Sequence, residues 1–344
     1  MLIINDLHIG VNRAGGTTPQ SQAALREYLR DGLRTLLEGE EEIVVVNGDL
    51  FDSFDVGNFE VIKTAKIFFD WLNKNKSGNL YFIAGNHDWQ PKAEKVSSFN
   101  TLCYMLQFSG RSTWFGTVGF SHVYENVSCI AHMPNQEMFN AEIAKAAEFN
   151  GKGRYLLLHC NYKNGFAENS DHSLNLSDEQ VGALMESGWT LVLGHEHIGR
   201  TFRGGRVIIV GNQFPSSVAD CIGDEDKHCL RIVYGKAHLE RTWSSYENYI
   251  EVDWRLPPVS DKYRFIRVTG NATATESAEV IRAISKLRQT HQAFVIGNAV
   301  KIEGCDLNDE IASSVEDIAV FDVAAAIMEE LTEEERAVVK GLLE

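Results

Sequence analysis

Five short apolar runs, each ended by a polar cluster of Asp, Asn, His and Gly, constrain this chain more than any other feature. Leu2 to Ile4 runs into Asp6-Leu7-His8, Ile43 to Val46 into Gly48-Asp49, and Leu80 to Ala84 into Gly85-Asn86-His87-Asp88. Tyr155 to Leu158 is closed by His159, and Thr190 to Leu193 by Gly194-His195-Glu196-His197. Short continuous apolar runs fit strands covered on both faces. Such strands form largely parallel sheets, whose ligands gather at the carboxyl ends of the strands. The five clusters are therefore expected to converge at one end of a sheet assembly.

Between these runs, Ser21 to Leu37, Phe59 to Asn73 and Lys95 to Phe108 carry apolar residues near i, i+3 and i+4, the helical period. Alternation of strand and helix predicts βαβ units, and the β-rich stretches Thr113 to Ala131 and Arg206 to Val233 predict a second sheet. The expected fold is α/β: two packed mixed sheets with helices outside, an αββα sandwich, over residues 1–256. Phe68, Phe69, Trp71 and Leu72 on the second helix and Leu102, Tyr104, Met105 and Leu106 on the third are large apolar sets. They fit either the intramolecular core or, if exposed, a dimer contact.

Pro257 and Pro258 stiffen a segment that marks a boundary. Beyond it a small α+β unit is expected over residues 259–304, with a strand at Arg264 to Thr269, a helix at Ser277 to Arg288 and a strand at Phe294 to Ile302. The last segment, 305–344, reads as an acidic amphipathic helical tail. Val323, Ile327 and Leu331 form one apolar stripe, Val338, Val339, Leu342 and Leu343 another, and Thr332-Glu333-Glu334-Glu335 is a capping box that opens the second helix. Such a tail either docks on its own domain or lays its stripes against a partner.

The cluster composition points to metal chemistry. Asp6, His8, Asp49, Asn86, His159, His195 and His197 supply two carboxylates, one amide oxygen and four imidazoles. Two divalent cations roughly 3.5–4 Å apart need one bridging carboxylate and several N/O ligands of this kind. A donor set without thiolate suits manganese, iron, zinc or nickel better than calcium or a structural zinc. An isolated Asp or His at a strand end is ordinarily a solvated loop residue; five such clusters in this order are not.

The order D-x-H, G-D, G-N-H-D, H, G-H-x-H resembles the calcineurin-like metallophosphoesterase superfamily over residues 1 to about 215. Asp6-Leu7-His8-Ile9-Gly10 and Gly48-Asp49-Leu50-Phe51-Asp52 are similar to one branch, the SbcD-type DNA exonuclease subunit and its phage counterparts. Gly211-Asn212-Gln213-Phe214-Pro215 followed by Asp224-Glu225-Asp226-Lys227 is similar to the segment closing that branch's catalytic domain. The resemblance implies Asp6, His8, Asp49 and His197 on one metal and Asp49, Asn86, His159 and His195 on the other, with Asp49 bridging. It implies that His87 contacts the scissile phosphate or protonates the leaving group. Asp88 is expected either to orient His87 or to cap a turn. The implied cofactor is two divalent ions, manganese foremost. The implied partners are DNA and an SbcC-like ATPase gripped by the C-terminal tail, with a homodimer formed by the helical region.

Phosphomonoester phosphatases of the superfamily carry Arg in G-D-x-x-D-R-G and R-G-N-H, where bidentate guanidinium groups grip a dianion. Here those positions are Ser53 and Ala84. A diester carries one charge and needs less of that clamp, so phosphodiester cleavage is the expected reaction, and the resemblance implies that the diester is DNA, cleaved by the nuclease subunit of an SbcC/SbcD-like complex. The alternatives are a hydrolase of nucleotides or other small phosphoesters, and a regulatory interaction protein with a vestigial site.

A net charge of −16 opposes long-range attraction to DNA. Arg13, Lys163, Arg200, Arg203 and Arg206 near the motif loops, and Lys286, Arg288, His291 and Lys301 in the small unit, are candidate phosphate contacts or ordinary surface charges. The 344 residues, 44% hydrophobic, are enough for a sizeable core plus an appendage. The six cysteines form no C-x-x-C pair, which reads as reduced thiols. With a strand starting at Leu2, no apolar run near the roughly 18 residues that span a bilayer and no P-loop, the chain is expected to be cytoplasmic, without membrane contact and without an ATP site of its own.

Overall fold

The computed structural model describes residues 1–12, 15–89, 95–108, 110, 113–116, 119–164, 173–223, 225–256 and 260–303. Arg13, the two prolines at 257 and 258, and the tail from 304 onward lie outside these described residues. The chain starts with β1 (Leu2–Ile4), α1 (Pro19–Leu36), β2 (Ile43–Asn47), α2 (Asn58–Lys74), β3 (Asn79–Ile83), α3 (Ser98–Phe108) and β4 (Thr113–Gly116). It continues through β5 (Phe120–Tyr124), β6 (Val127–Ile130), α4 (Gln136–Glu148), β7 (Tyr155–His159), β8 (Asn161–Tyr162), β9 (Asn175–Leu176), α5 (Asp178–Glu186) and β10 (Thr190–Gly194). Next come β11 (Arg200–Phe202), β12 (Val207–Ile209), β13 (Asp226–Val233), β14 (Lys236–Ser244), α6 (Ser245–Asn248) and β15 (Tyr249–Asp253). The described part closes with β16 (Phe265–Thr269), β17 (Asn271–Ala272), α7 (Ser277–Thr290), β18 (Val295–Asn298) and β19 (Lys301–Ile302).

Period-two alternation within the apolar runs builds the layers. Ile3, Val45 and Ile83 of the first sheet meet Leu157, Val192 and Ile208 of the second in one buried cluster. Their neighbours Leu2, Ile4, Val44, Val46, Leu80 and Phe82 face the other way, into α1, α2 and α3. On the second sheet Leu156, Leu158, Leu191, Leu193, Val207 and Ile209 face α4 and α5. The result is helix, sheet, sheet, helix, the αββα sandwich expected from the sequence.

The first sheet has the order β14-β13-β1-β2-β3-β4 and the second β11-β12-β10-β7-β6-β5. The β-rich stretches are thus shared between the sheets and not confined to the second. β4 pairs parallel to β3 and β13 antiparallel to β1, while β5, β6 and β12 join the second sheet. Strands β1, β2 and β3 are parallel neighbours, as are β7 and β10, so all five polar clusters emerge at the same end.

The small unit is a parallel sheet, β15-β16-β18, with α7 connecting the last two strands. Its first strand precedes Leu256. The stretch expected as one strand from Phe294 to Ile302 is split in two: the Asn298 side chain accepts from Val300 N–H at 3.1 Å, and this Asx turn ends β18 before β19 pairs with β17. Ile266, Val268, Val280, Ile284 and Ile296 make its own core. Phe265 and Val295 belong instead to the main core, where Tyr28 packs on Phe214, Phe265 and Phe294.

Among the described residues no helix is long and apolar enough to cross a membrane.

Candidate metal centre

Close approach of the strand ends demands glycine at two places. Gly48 has φ +89°, and a Cβ there would lie 2.0 Å from His159 Nδ1. A Cβ on Gly85 would lie 2.1 Å from Asp49 Oδ1. Asp6, His8, Asp49 and His195 themselves adopt positive φ, a backbone region costly for residues with a side chain and concentrated at functional sites.

The side chains converge in two sets. Asp6, His8 and His197 place one donor atom each within 4.8 Å of one another, and so do Asp49, His159 and His195. Asp49 also groups with His8 and His87, which joins the sets. Asn86 belongs to the second set, because its Oδ1 lies 2.9 Å from both His159 Nε2 and His195 Nδ1. His159 Nε2 is 3.2 Å from Asp49 Oδ2 and 3.9 Å from Asp6 Oδ1. Asp6 also accepts from His195 N–H at 3.0 and 3.1 Å. All seven residues expected as ligands are therefore in one place.

Three of the four ligand histidines have the outer nitrogen hydrogen-bonded, and that of His8 is buried near a carboxylate without a hydrogen bond. His159 Nδ1 faces the Asn47 carbonyl at 3.2 Å, and His195 Nε2 the Ser173 hydroxyl at 3.3 Å. His197 Nδ1 is 2.7 Å from Asp220 Oδ1, and His8 Nδ1 is 3.4 Å from Asp52 Oδ1. The Nε2 atoms of His8 and His197 face each other at 3.0 Å. Two imidazole nitrogens so close, beside the wholly buried Asp6 carboxylate, form a donor set that suits a cation. The residues present fit a pair of divalent ions.

The electrostatics agree. Burial pushes the His159 imidazole down, but the charge and hydrogen bond of Asp49, with Asp6 beyond, outweigh it and raise the group to about 9. Asp49 is held well below the usual carboxylate range; burial opposes this, and the charges of His159 and His87 prevail. Burial and the neighbouring His159 charge lower His195 to about 3. Without a cation, His159 is thus the positive partner of Asp49.

His87 stands at the rim with a partly exposed ring, its Nε2 3.9 Å from Asp49 Oδ2. Its Nδ1 lies 2.5 Å from the Asp52 carbonyl, the one acceptor that fixes its tautomer. Of the two roles expected of Asp88, its contacts match the turn cap and not the orientation of His87. Asp88 is buried and turned inward, accepting from Gly85 N–H at 3.0 Å and Phe51 N–H at 3.5 Å, so it clamps two motif loops together. Burial and the charge of Asp49 raise its carboxyl to about 7.

The candidate phosphate contacts are largely engaged elsewhere. Arg200 pairs with Glu196, and Lys163 and Arg203 both pair with Asp178. Arg206 donates to the Met185 and Trp189 carbonyls. In the small unit Arg288 donates to the Ile296 carbonyl, and His291 is bonded to the Ser260 carbonyl and Ala293 N–H. Lys286 lines a cavity of about 250 Å³ between α7 and the residues 252–256, and Lys301 is exposed.

Sequence reading missed Asp220, Asn47 and the Asp52 main chain. Asn47 and Asp52 act through carbonyl oxygens, which every residue has. Asp220 does have a signal, two serines (Ser216, Ser217) three and four residues before it, whose N–H groups cradle its other oxygen at 2.7 and 3.0 Å.

A comparison with curated proteins gave no match. The calcineurin-like phosphoesterase family model matches residues 1–231. That span holds both sheets except β14 and the end of β13, all seven donor residues and His87, and the chain belongs to the calcineurin-like phosphoesterases, metal-dependent phosphoester hydrolases.

Proposed function

We propose that the chain is a two-metal phosphodiesterase acting on DNA, the nuclease subunit of an SbcC/SbcD-like complex. The observation that carries this reading is the pair Ser53 and Ala84 where phosphomonoesterases place arginine. Ala84 is buried, and the Ser53 hydroxyl donates to the Asp55 carbonyl, so neither grips a dianion. The SbcD-like Asp6 to Gly10 and Gly48 to Asp52 motifs support the same branch.

Asp6, His8, Asp49 and His197 would hold one ion and Asp49, Asn86, His159 and His195 the other. Manganese suits this N/O set. Bound there, the ions supply Lewis acidity and an activated water. His87 holds its Nδ1 proton against the Asp52 carbonyl, which leaves Nε2 at the open rim to hold or give up a proton at the leaving oxygen. Asp88 keeps the loops carrying Asn86 and Leu50 in register, a supporting function apart from the chemistry.

Two partner surfaces accompany this reading. On α2 and beside or on α3, Phe59, Ile62, Val96, Tyr104 and Phe108 are exposed, Phe108 to 89%, while Phe68, Trp71, Leu72, Leu102 and Leu106 are core. Exposed large apolar side chains on both helices support a homodimer. Residues 304–344 hold twelve acidic and two basic residues, and this segment is proposed to bind the ATPase subunit. Cys103, Cys129, Cys160, Cys221 and Cys229 are buried thiols, in keeping with a reducing, cytoplasmic setting.

A second reading, hydrolysis of small phosphoesters, is favoured by the pairing of Lys163, Arg200 and Arg203 with acids. The test is degradation of end-labelled linear duplex and single-stranded DNA in manganese, with Asp49→Ala as control. The DNA reading requires cleavage that Asp49→Ala abolishes, and a chain lacking residues 306–344 that still cleaves but no longer binds the ATPase. Hydrolysis of small nucleotide esters with no DNA cleavage would replace it with the second reading.

A further inference from the structure

The two halves of the centre are backed by unlike groups. His159 and His195 lean on neutral partners, the Asn47 carbonyl and the Ser173 hydroxyl. His197 leans on Asp220, a buried carboxylate at 2.7 Å. Asp220 is itself pinned. Its Oδ2 accepts from Ser216 N–H at 2.7 Å, Ser216 Oγ at 3.0 Å and Ser217 N–H at 3.0 Å, and its own N–H donates to Ser217 Oγ at 3.2 Å. The three donors on Oδ2 hold the carboxylate with Oδ1 toward His197.

We infer that Asp220 is the positioning residue of the Asp6-His8-His197 half-site: it holds the proton of His197 on Nδ1 and aims the Nε2 lone pair at the cation. Three features carry this. A neutral imidazole has one N–H, and a carboxylate accepts only, so the Nδ1 contact fixes the tautomer. His197 follows β10 in a loop and is partly exposed, so its ring has less packing to hold it than the enclosed His159. Asp220 comes from the segment between β12 and β13, outside the five motifs, and ties that segment to the site. The Lys227 ammonium, 2.8 Å from the His197 carbonyl, fixes the main chain of the same residue from the β13 side. Ring and backbone of His197 are thus held by separate elements.

The inference rests on the two-metal reading, and its test separates the two. Asp220→Asn keeps the shape and removes the charge. Manganese is titrated into wild type and variant and followed by electron paramagnetic resonance, which distinguishes a spin-coupled pair from a single ion. Wild type should take up two ions and show the pair. Asp220→Asn should bind the first as wild type does and the second about 10- to 100-fold more weakly. Loss of a purely structural residue would weaken both ions alike or neither, and either result would overturn the assignment. A wild-type chain that binds no manganese would overturn the metal reading and this inference with it. Should Asp220→Asn not fold, the ¹⁵N shifts of His197 in the metal-free wild type still decide: an Nδ1–H tautomer supports the role of Asp220, and an Nε2–H tautomer refutes it.

Discussion

At the scale of residues, the centre is a problem of buried charge. Asp6 and Asp49 are both enclosed, and in the metal-free chain the His159 imidazolium compensates them. Its folded value near 9 exceeds the ordinary 6.5, so its stabilising effect is fully present below pH 6.5 and is lost as pH rises through 9. The urea midpoint of metal-free protein should therefore fall between pH 6.5 and 9, and His159→Asn should flatten that fall. Since a metal must displace this proton, manganese binding near pH 7.5 should release protons, seen as a dependence of calorimetric heat on buffer ionisation enthalpy. Binding without proton release would contradict the assignment of His159.

The residue scale is also where sequence reading reached furthest and where it stopped. Asp6, His8, Asp49, Asn86, His159, His195 and His197 were legible because each ends an apolar run, and the runs had to be neighbouring strands. Of the two roles weighed for Asp88 the turn cap matches its contacts, and sequence could not choose because adjacency to His87 says nothing of direction. The turn points its carboxylate at Gly85 and Phe51 N–H while the ring of His87 meets the Asp52 carbonyl. The role of Asp220 depends on a contact 23 residues from His197, beyond any local pattern.

At the scale of elements, the helices and the five motif strands followed from periodicity, but the sheet membership of the rest did not. Pairing of β4 with β3 and of β13 with β1 is decided by crossover geometry and by which edge is free, neither of which the hydrophobic pattern encodes. The helices show the same division. Phe68 and Trp71 on α2 are buried in the core, whereas Phe59 and Ile62 of α2, 61% and 57% exposed, and Tyr104 and Phe108 of α3 are turned to solvent. If these side chains pair two copies, Ile62→Glu with Phe108→Glu should convert a dimer to a monomer in analytical ultracentrifugation without loss of manganese binding, because both side chains are largely exposed. A wild-type monomer at tens of micromolar would refute the dimer.

At the scale of the whole molecule, the sandwich exists to bring two sheets' strand ends together. The first sheet delivers Asp6, His8, Asp49, Asn86 and His87; the second delivers His159, His195 and His197. Each proposed half-site draws on both sheets, so sheet packing and metal binding are linked, and the cluster of Ile3, Val45, Leu157 and Val192 between the sheets sets the spacing of the ligands. The small unit is joined to this frame through the Tyr28, Phe214, Phe265 and Phe294 rings. The most direct test of the account is anomalous diffraction from crystals grown with manganese. It predicts two peaks about 3.5–4 Å apart with Asp49 between them, one against His8 and His197 and the other against Asn86, His159 and His195. A single peak, or none among these residues, would contradict it.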